Sequence, residues 1–370
     1  MPESKHARNR PRWMPWAALG GALLIGGLAG GFIGAAINSS SASTTTPPSS
    51  SGSSSGLSVC NVTAVANQVI PSVVTISVQS GTQGGTGSGE VIRSDGYILT
   101  NNHVIAAAAN HGTINVQFSD GTTASATLTG RDPQTDLAVI KVQPPKQLKV
   151  IQMGTSSTLA VGQPVVVLGA PLGLSETVTS GIVSALDRTI QVPGEDNTTA
   201  LLVNAIQSDA AINPGNSGGA MVNCNDQLIG IPSAGAVVPS SSGESSGGSI
   251  GLGFAIPVDL AKTISDEIIS TGSVTHSYFG LVTVPIPREA AAQAGVPEGL
   301  FIKTAVPGGP AAQAGLREGD VITTIDGKPA TSNTQLQEIT LTKKPGETVD
   351  IGYDRNGKSA TTKITLGTQP

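Results

Sequence analysis

The chain has little of three things that most globular proteins carry in quantity. Of its 370 residues only 12% are charged and 3% aromatic, and there are two cysteines and four histidines. So few charges exclude a coiled coil. A net charge of −5 leaves no basic surplus for neutralising phosphates, so nucleic acid is not an expected partner. Cys60 and Cys224 are too few for a disulfide scaffold. No CxxC pair, HExxH motif or Asp-rich loop offers a metal site, and no phosphate-binding loop precedes a Lys-Ser or Lys-Thr. Neither metal nor cofactor is expected.

The longest gap in charge runs from residue 13 to residue 89. Before it, Lys5, Arg8, Arg10 and Arg12 outweigh Glu3, giving a basic leader over 1–15. Within the gap, residues 16–37 form an apolar run that as a helix spans about 33 Å, enough for a bilayer core of about 30 Å. With basic residues only before it, the N-terminus is expected in the cytoplasm and the rest outside, as a single-pass protein of the cytoplasmic membrane. A cleaved signal peptide is the competing reading, although its apolar region would be only about 7–15 residues long. Residues 38–60, rich in Ser, Thr, Pro and Gly, read as a flexible tether.

From Val73 onward, short β-branched runs alternate with Gly, Asn and Asp turns through Ile231, the pattern of closed barrels or sandwiches. Val62, Val65, Ala66 and Val69 recur at helical spacing before them. After them, Asp259 is placed to cap a helix carrying Leu260, Ile264 and Ile268, which Gly272 ends. The segment to Ser277 reads as a domain boundary. Beyond it glycines cluster, Ser332–Gln335 spells a capping box, and AAQAG occurs at 291–295 and again at 311–315. The fold class is mostly β with a small α+β domain behind it.

Three local patterns carry chemistry. His103 follows a strand ending Tyr97-Ile-Leu-Thr-Asn-Asn, while His111 and His276 sit in polar, loop-like contexts. Asp136 stands at the mouth of the strand Leu137–Val142, and Ser217 lies at the tip of Asn213-Pro-Gly-Asn-Ser-Gly-Gly. A serine nucleophile needs an imidazole to take its proton, a carboxylate to orient that imidazole, and backbone amides facing the oxyanion. The glycines let the amides of Gly215 and Ser217 converge. A lone histidine beside a strand is usually structural, and an Asp before a strand usually a cap; a serine among glycines serves no core. The chain order His, Asp, Ser is the chymotrypsin order.

TNNHV, TDLAVIKV, SDAAINPGNSGGAMVN and GLGFAIPVDLA resemble the HtrA/Deg family of chymotrypsin-fold serine proteases, and GPAAQAGLREGDVITTIDGKPA resembles their PDZ domain. The resemblance covers about residues 61–367. It implies two six-stranded β-barrels with the triad between them over 61–272, and a PDZ domain over 278–367. His103 is then general base, Asp136 its orienter and Ser217 the nucleophile. Gly215, Asn216 and Ser217 form the oxyanion turn. The pocket in this fold implies Ala211 at its base, with Ile212 and Ile231 nearby, hence cleavage after small apolar residues. Asp209 is two positions off register for a basic side chain. Tyr278-Phe-Gly-Leu would receive a peptide carboxylate on the amides of Phe279, Gly280 and Leu281, whereas Gly251–Phe254 belongs to a protease strand.

The implied partners are unfolded or membrane-associated proteins, peptide C-termini at the PDZ domain, the membrane, and two further copies in a homotrimer. A peptide-binding or chaperone module with little proteolysis is the alternative function. A topology outside the cytoplasm allows Cys60 and Cys224 to pair; two unrelated thiols are the other reading.

Overall fold

A computed structural model of the protein describes residues 60–170, 177–195, 198–237 and 249–370. The leader, the apolar run 16–37, nearly all of the tether and most of the Ser-rich stretch 239–249 lie outside the described residues. Among those described, no helix is long and apolar enough to cross a membrane.

Helix α1 (Val62–Val69) opens the described chain, capped by the Asn61 side chain on the Ala64 amide. Six strands follow: β1 (Val73–Ser80), β2 (Gln83–Val91), β3 (Tyr97–Thr100), β4 (Thr113–Phe118), β5 (Thr123–Asp132) and β6 (Leu137–Val142). They close into a barrel in the order β1-β2-β3-β6-β5-β4. A one-turn helix α2 (Asn102–Ile105) leaves the end of β3. Val74, Ile76, Ile98, Val116 and Ile140 fill the interior. Gly89 permits the closure, because a Cβ there would stand 2.8 Å from both Ile76 and Ile98.

The next strands are β7 (Gln152–Met153), β8 (Pro164–Gly169), β9 (Thr177–Pro193), β10 (Thr199–Ser208), β11 (Ala220–Val222), β12 (Gln227–Val237) and β13 (Ser249–Pro257). The resemblance implies a second six-stranded barrel here. The strands form a seven-stranded sheet, β11-β8-β9-β10-β13-β12-β7, with a further β11–β12 pairing. Strand β7 joins in parallel at one edge, a pairing too short to read from sequence. Gly251–Phe254 lies within β13.

The strands alternate between two apolar surroundings. Along β8, Val165 and Val167 face the interior of the second sheet while Val166 and Leu168 face outward, against Leu99, Leu137 and Val139 of the barrel. That shared layer takes in Val65 and Val69 of α1, and Ala261, Ile264 and Ile268 of α3 (Val258–Thr271). With both faces buried, β6 and β8 read as continuous apolar runs, whereas β4 alternates. Helix α3 ends on Gly272 at φ 83°. Asp259 does not cap it: its carboxylate accepts from the amides of Ser156 and Ser157 and from the Thr155 hydroxyl, leaving the helix without a side-chain cap.

The C-terminal region comprises β14 (Ser277–Tyr278), β15 (Leu281–Ile286), α4 (Arg288–Ala294), β16 (Gly299–Ala305), α5 (Pro310–Gln313), β17 (Val321–Ile325), β18 (Lys328–Pro329), α6 (Asn333–Thr342), β19 (Thr348–Arg355), β20 (Lys358–Thr365) and β21 (Gly367–Thr368). Its main sheet runs β15-β16-β17-β19-β20, leaving β15 at an edge, and β14 pairs β21. Both halves of the capping box form at Ser332 and Gln335. The junction is packed. His276, which its context places in a polar loop, is 7% exposed, and its Nε2 lies 2.9 Å from Asp132 Oδ1.

Cys60 and Cys224 form a disulfide, with Cα atoms 5.2 Å apart and 164 positions between them in sequence. In the chain-entropy picture a loop of that length is worth up to about 5 kcal/mol. Cys224→Ser is expected to lower unfolding stability by a few kcal/mol, about the loss that reductant causes in the native chain. Denaturant titrations that coincide with and without reductant would remove the bridge from the stability argument.

Glu90 is a second feature with a measurable consequence. It stands opposite Val73 and Leu99, is fully buried, and neither carboxyl oxygen has a partner. Burial pushes its pKa well above the ordinary carboxylate range, and the dipole of its own backbone amide only partly opposes this. The unfolded chain ionises at about pH 4.3 while the folded one holds its proton higher. Stability from this group is therefore complete below the unfolded value and lost as pH rises toward the folded one, by about 1.4 kcal/mol per pH unit. Glu90→Gln is expected to gain on the native protein as pH rises from 5 to 8. Parallel stability profiles would show that Glu90 is not held as the neutral acid.

Candidate active site

Strand β3 ends at Thr100, and two asparagines later α2 presents His103 at a cleft of about 350 Å³. Asp136 sits in the β5–β6 turn at φ 59°, a left-handed conformation that Asp tolerates better than most residues. That turn points its carbonyl at α2, where it accepts from the Asn102 amide (3.1 Å) and the Asn101 side chain (2.8 Å). The carboxylate points the same way. Oδ1 accepts from the His103 amide at 3.0 Å, and His103 Nδ1 lies 3.0 and 2.9 Å from the two oxygens. A carboxylate only accepts, so Nδ1 carries the proton and Nε2 is left as the acceptor.

A third donor completes Asp136. The Ser233 hydroxyl gives its proton to Oδ2 at 2.5 Å, so a carboxylate only 3% exposed is bonded from three sides. Nothing local in the sequence marks Ser233. It is brought there by a bulge of β12 between Pro232 and Ala234.

Ser217 faces the same cleft as His103, together with Gly85, Thr86, Ile212 and Gly235. Its Oγ donates to the Ser233 carbonyl at 3.4 Å rather than to the His103 ring. The amides of Gly215 and Ser217 make no hydrogen bond among the described residues, whereas the Asn216 amide is spent on the Asn213 carbonyl at 3.0 Å. Among the described residues this turn therefore offers two unbonded amides, and that of Asn216 is not one of them. Gly215 sits at φ 100° and Gly218 at φ 77°. A Cβ at Gly218 would come within 2.4 Å of Thr100 Oγ1 and the Ser88 carbonyl.

Ser88 is another residue the sequence does not single out. Its hydroxyl donates to the Gly215 carbonyl (2.6 Å) and accepts from the Ala170 amide (2.8 Å), while its own amide donates to the Ser217 carbonyl (2.9 Å). The barrel thus pins the serine turn of the second sheet from across the cleft.

The expected pocket residues separate. Ile212 lines the cleft, flanked by Gly235 and Gly253; a Cβ at Gly253 would press on its side chain at 2.6 Å. Ala211 does not line it, and its carbonyl accepts from Thr179 and Asn216 side chains. Ile231 precedes the β12 bulge and is buried in the apolar layer between the sheets, so it is withdrawn from the pocket. Asp209 lies just past β10, its carboxylate accepting from the Ile182 amide. In the C-terminal region Phe279 is buried, Gly280 has φ 72°, and their carbonyls accept from Ala311 and Val306. Leu281 begins the edge strand β15. Among the described residues no cluster of His, Cys, Asp and Glu could hold a metal.

A trypsin-like peptidase domain model matches residues 87–231, and a PDZ domain model matches residues 280–366. The solved structure of the HtrA-type protease AlgW with decapeptide superposes with a TM-score of 0.66 at 32% identity, over 84% of this chain and 99% of that one. The chain belongs to the HtrA family of serine proteases. Among its curated HtrA relatives, Serine protease PepD of Mycobacterium tuberculosis is 43% identical over 326 residues, covering 83% of this chain and 66% of the relative. The periplasmic pH-dependent serine endoprotease DegQ of Escherichia coli is 39% identical over 288 residues, covering 77% and 60%. The chain spans 60–66% of the length of these two relatives.

Ser88→Ala tests how the HtrA serine turn is held. Removing the hydroxyl leaves the Gly215 carbonyl and the Ala170 amide without their shared partner, at about 1–3 kcal/mol. The expected result is a fall in kcat of about tenfold or more, with KM little changed, because the free amides then lose their aim. A variant with native kcat would mean that the turn holds itself.

Proposed function

We propose that the protein is a serine endopeptidase, with peptidase chemistry over 61–272 and a regulatory PDZ domain over 278–367. The observation that carries this reading is the Asp136–His103 pair, held at one cleft with Ser217 and two unbonded amides. Ser217 Oγ attacks a peptide carbonyl while His103 Nε2 takes its proton. The amides of Gly215 and Ser217 receive the oxyanion, and Asp136 stabilises the imidazolium. His103 then protonates the leaving amine, and water repeats the sequence on the acyl-enzyme. The second sheet corresponds to the second barrel of the fold, a reading supported by the β11–β12 pairing, with β7 as an added edge.

Ile212 in the cleft supports cleavage after small apolar residues, which unfolded proteins expose. The free edge of β15 beside the Phe279–Leu281 turn suits strand addition by a peptide C-terminus. The basic leader and the apolar run 16–37 support a retained anchor, with both domains on the extracytoplasmic side. The family resemblance supports a homotrimer. A peptide-binding module with little proteolysis is the second reading, favoured by one distance: Ser217 Oγ engages Ser233 rather than His103.

A serine-reactive phosphonate separates the two. Labelling of the native protein, lost in folded Ser217→Ala together with cleavage of casein, is expected; an unlabelled native protein selects the binding module. Cut sites mapped in a denatured substrate should follow Val, Ala, Ile or Leu, and a majority after Lys or Arg would overturn the pocket. Short apolar-ended peptides should lose binding when amidated, and equal binding would move the ligand away from Phe279–Leu281.

A further inference from the structure

Helix α2 is four residues long and has no side-chain cap at its start, so it cannot hold His103 by itself. Its backbone is held by Asp136. Its remaining polar anchor is the Asn102 side chain, which comes from the residue before the histidine and is 3% exposed. Asn102 Nδ2 donates to Glu195 Oε1 at 2.9 Å. Arg131 Nη1 donates to both oxygens of Glu195, at 2.5 and 2.6 Å, and reaches Asn102 Oδ1 at 3.4 Å. Arg131 and Asn102 belong to the barrel, whereas Glu195 belongs to the connection between β9 and β10 in the second sheet.

We propose that Glu195 is a positioning residue for hydrolysis, setting the orientation of His103 through the side chain of Asn102; the inference rests on the peptidase reading above. Glu195 is itself well placed for that task. The Thr198 amide and hydroxyl both donate to its carbonyl, and the Gly194 amide donates to the Thr198 carbonyl, closing a turn around it. Withdrawing the carboxylate leaves a buried amide donor without a partner and an arginine charge beside Asn102 without its counter-ion. The Asn102 side chain must then turn to find another acceptor. His103, one residue away on the same turn of helix, then shifts from the position in which its Nε2 is to take the Ser217 proton once substrate is bound. A misplacement of about 1 Å costs about a hundredfold in rate.

The test measures kcat, KM and the phosphonate-labelling rate of Ser217 in full-length protein, alongside thermal unfolding. Glu195→Ala is expected to lower kcat and labelling by about tenfold to a hundredfold, with KM within about twofold and the folded fraction at assay temperature unchanged. Glu195→Gln retains an oxygen that can accept from Asn102 and is expected to recover most of the rate. Asn102→Ala should match Glu195→Ala, and the double variant should add nothing further. A Glu195→Ala protein that labels as fast as the native one overturns the proposal, as do single effects that add in the double variant. Should Glu195→Ala fail to fold, Asn102→Ser carries the same test, since it leaves the Arg131–Glu195 pair intact; native kcat in that variant overturns the proposal. A native protein that does not label at all counts against the peptidase reading rather than against Glu195.

Discussion

A carboxylate that is 3% exposed must have its lone pairs answered, and the arrangement of this site follows from how Asp136 meets that requirement. Borne on the β5–β6 turn, it takes its partners from two segments distant in sequence: the short helix after β3 and the bulged strand β12. Each bond that satisfies the charge also fixes a functional group. The imidazole acquires one tautomer, the helix acquires a register, and the bulge places the carbonyl of Ser233 under the serine hydroxyl.

The apolar layer between the two sheets supplies the rigidity that such a site needs. Strands buried on both faces cannot slide by one residue without moving a valine from one core to the other. The serine turn from one side and the histidine from the other are therefore held at fixed separation by close packing. Ser88 and Glu195 cross the same boundary with polar atoms. Glu90 is the exception within the layer, a carboxyl group opposite Val73 and Leu99 whose pKa burial raises.

Local patterns in the sequence were enough for the mostly β class and for the trypsin-like and PDZ domains, because their signals lie within a few consecutive residues. The same holds for the Ser332–Gln335 capping box. What escaped was set by partners far away in sequence. Ile231 and Ser233 are two residues apart, yet a bulge sends one into the core and the other to Asp136. Strand alternation alone cannot place such an irregularity. His276 looks like a loop residue because its partner, Asp132, lies 144 positions upstream. Ser88 and Glu195 stand in segments with no motif. Asn216 sits between two amides that make no bond among the described residues and still spends its own on Asn213, in a turn where Gly215 has φ 100°.

The disulfide closes a ring of chain that holds His103, Asp136 and Ser217 together. Synthesis runs from the N-terminus, so Cys60 is made well before Cys224, which itself follows Ser217 by seven positions. Throughout that interval Cys60 is a thiol without its mate. The bond can close only once the serine turn has been made, which makes it a late covalent mark of a completed two-sheet domain. A chain interrupted between Cys60 and Cys224 therefore carries one unpaired thiol, so an unfinished copy differs from a finished one in its thiol chemistry as well as its length.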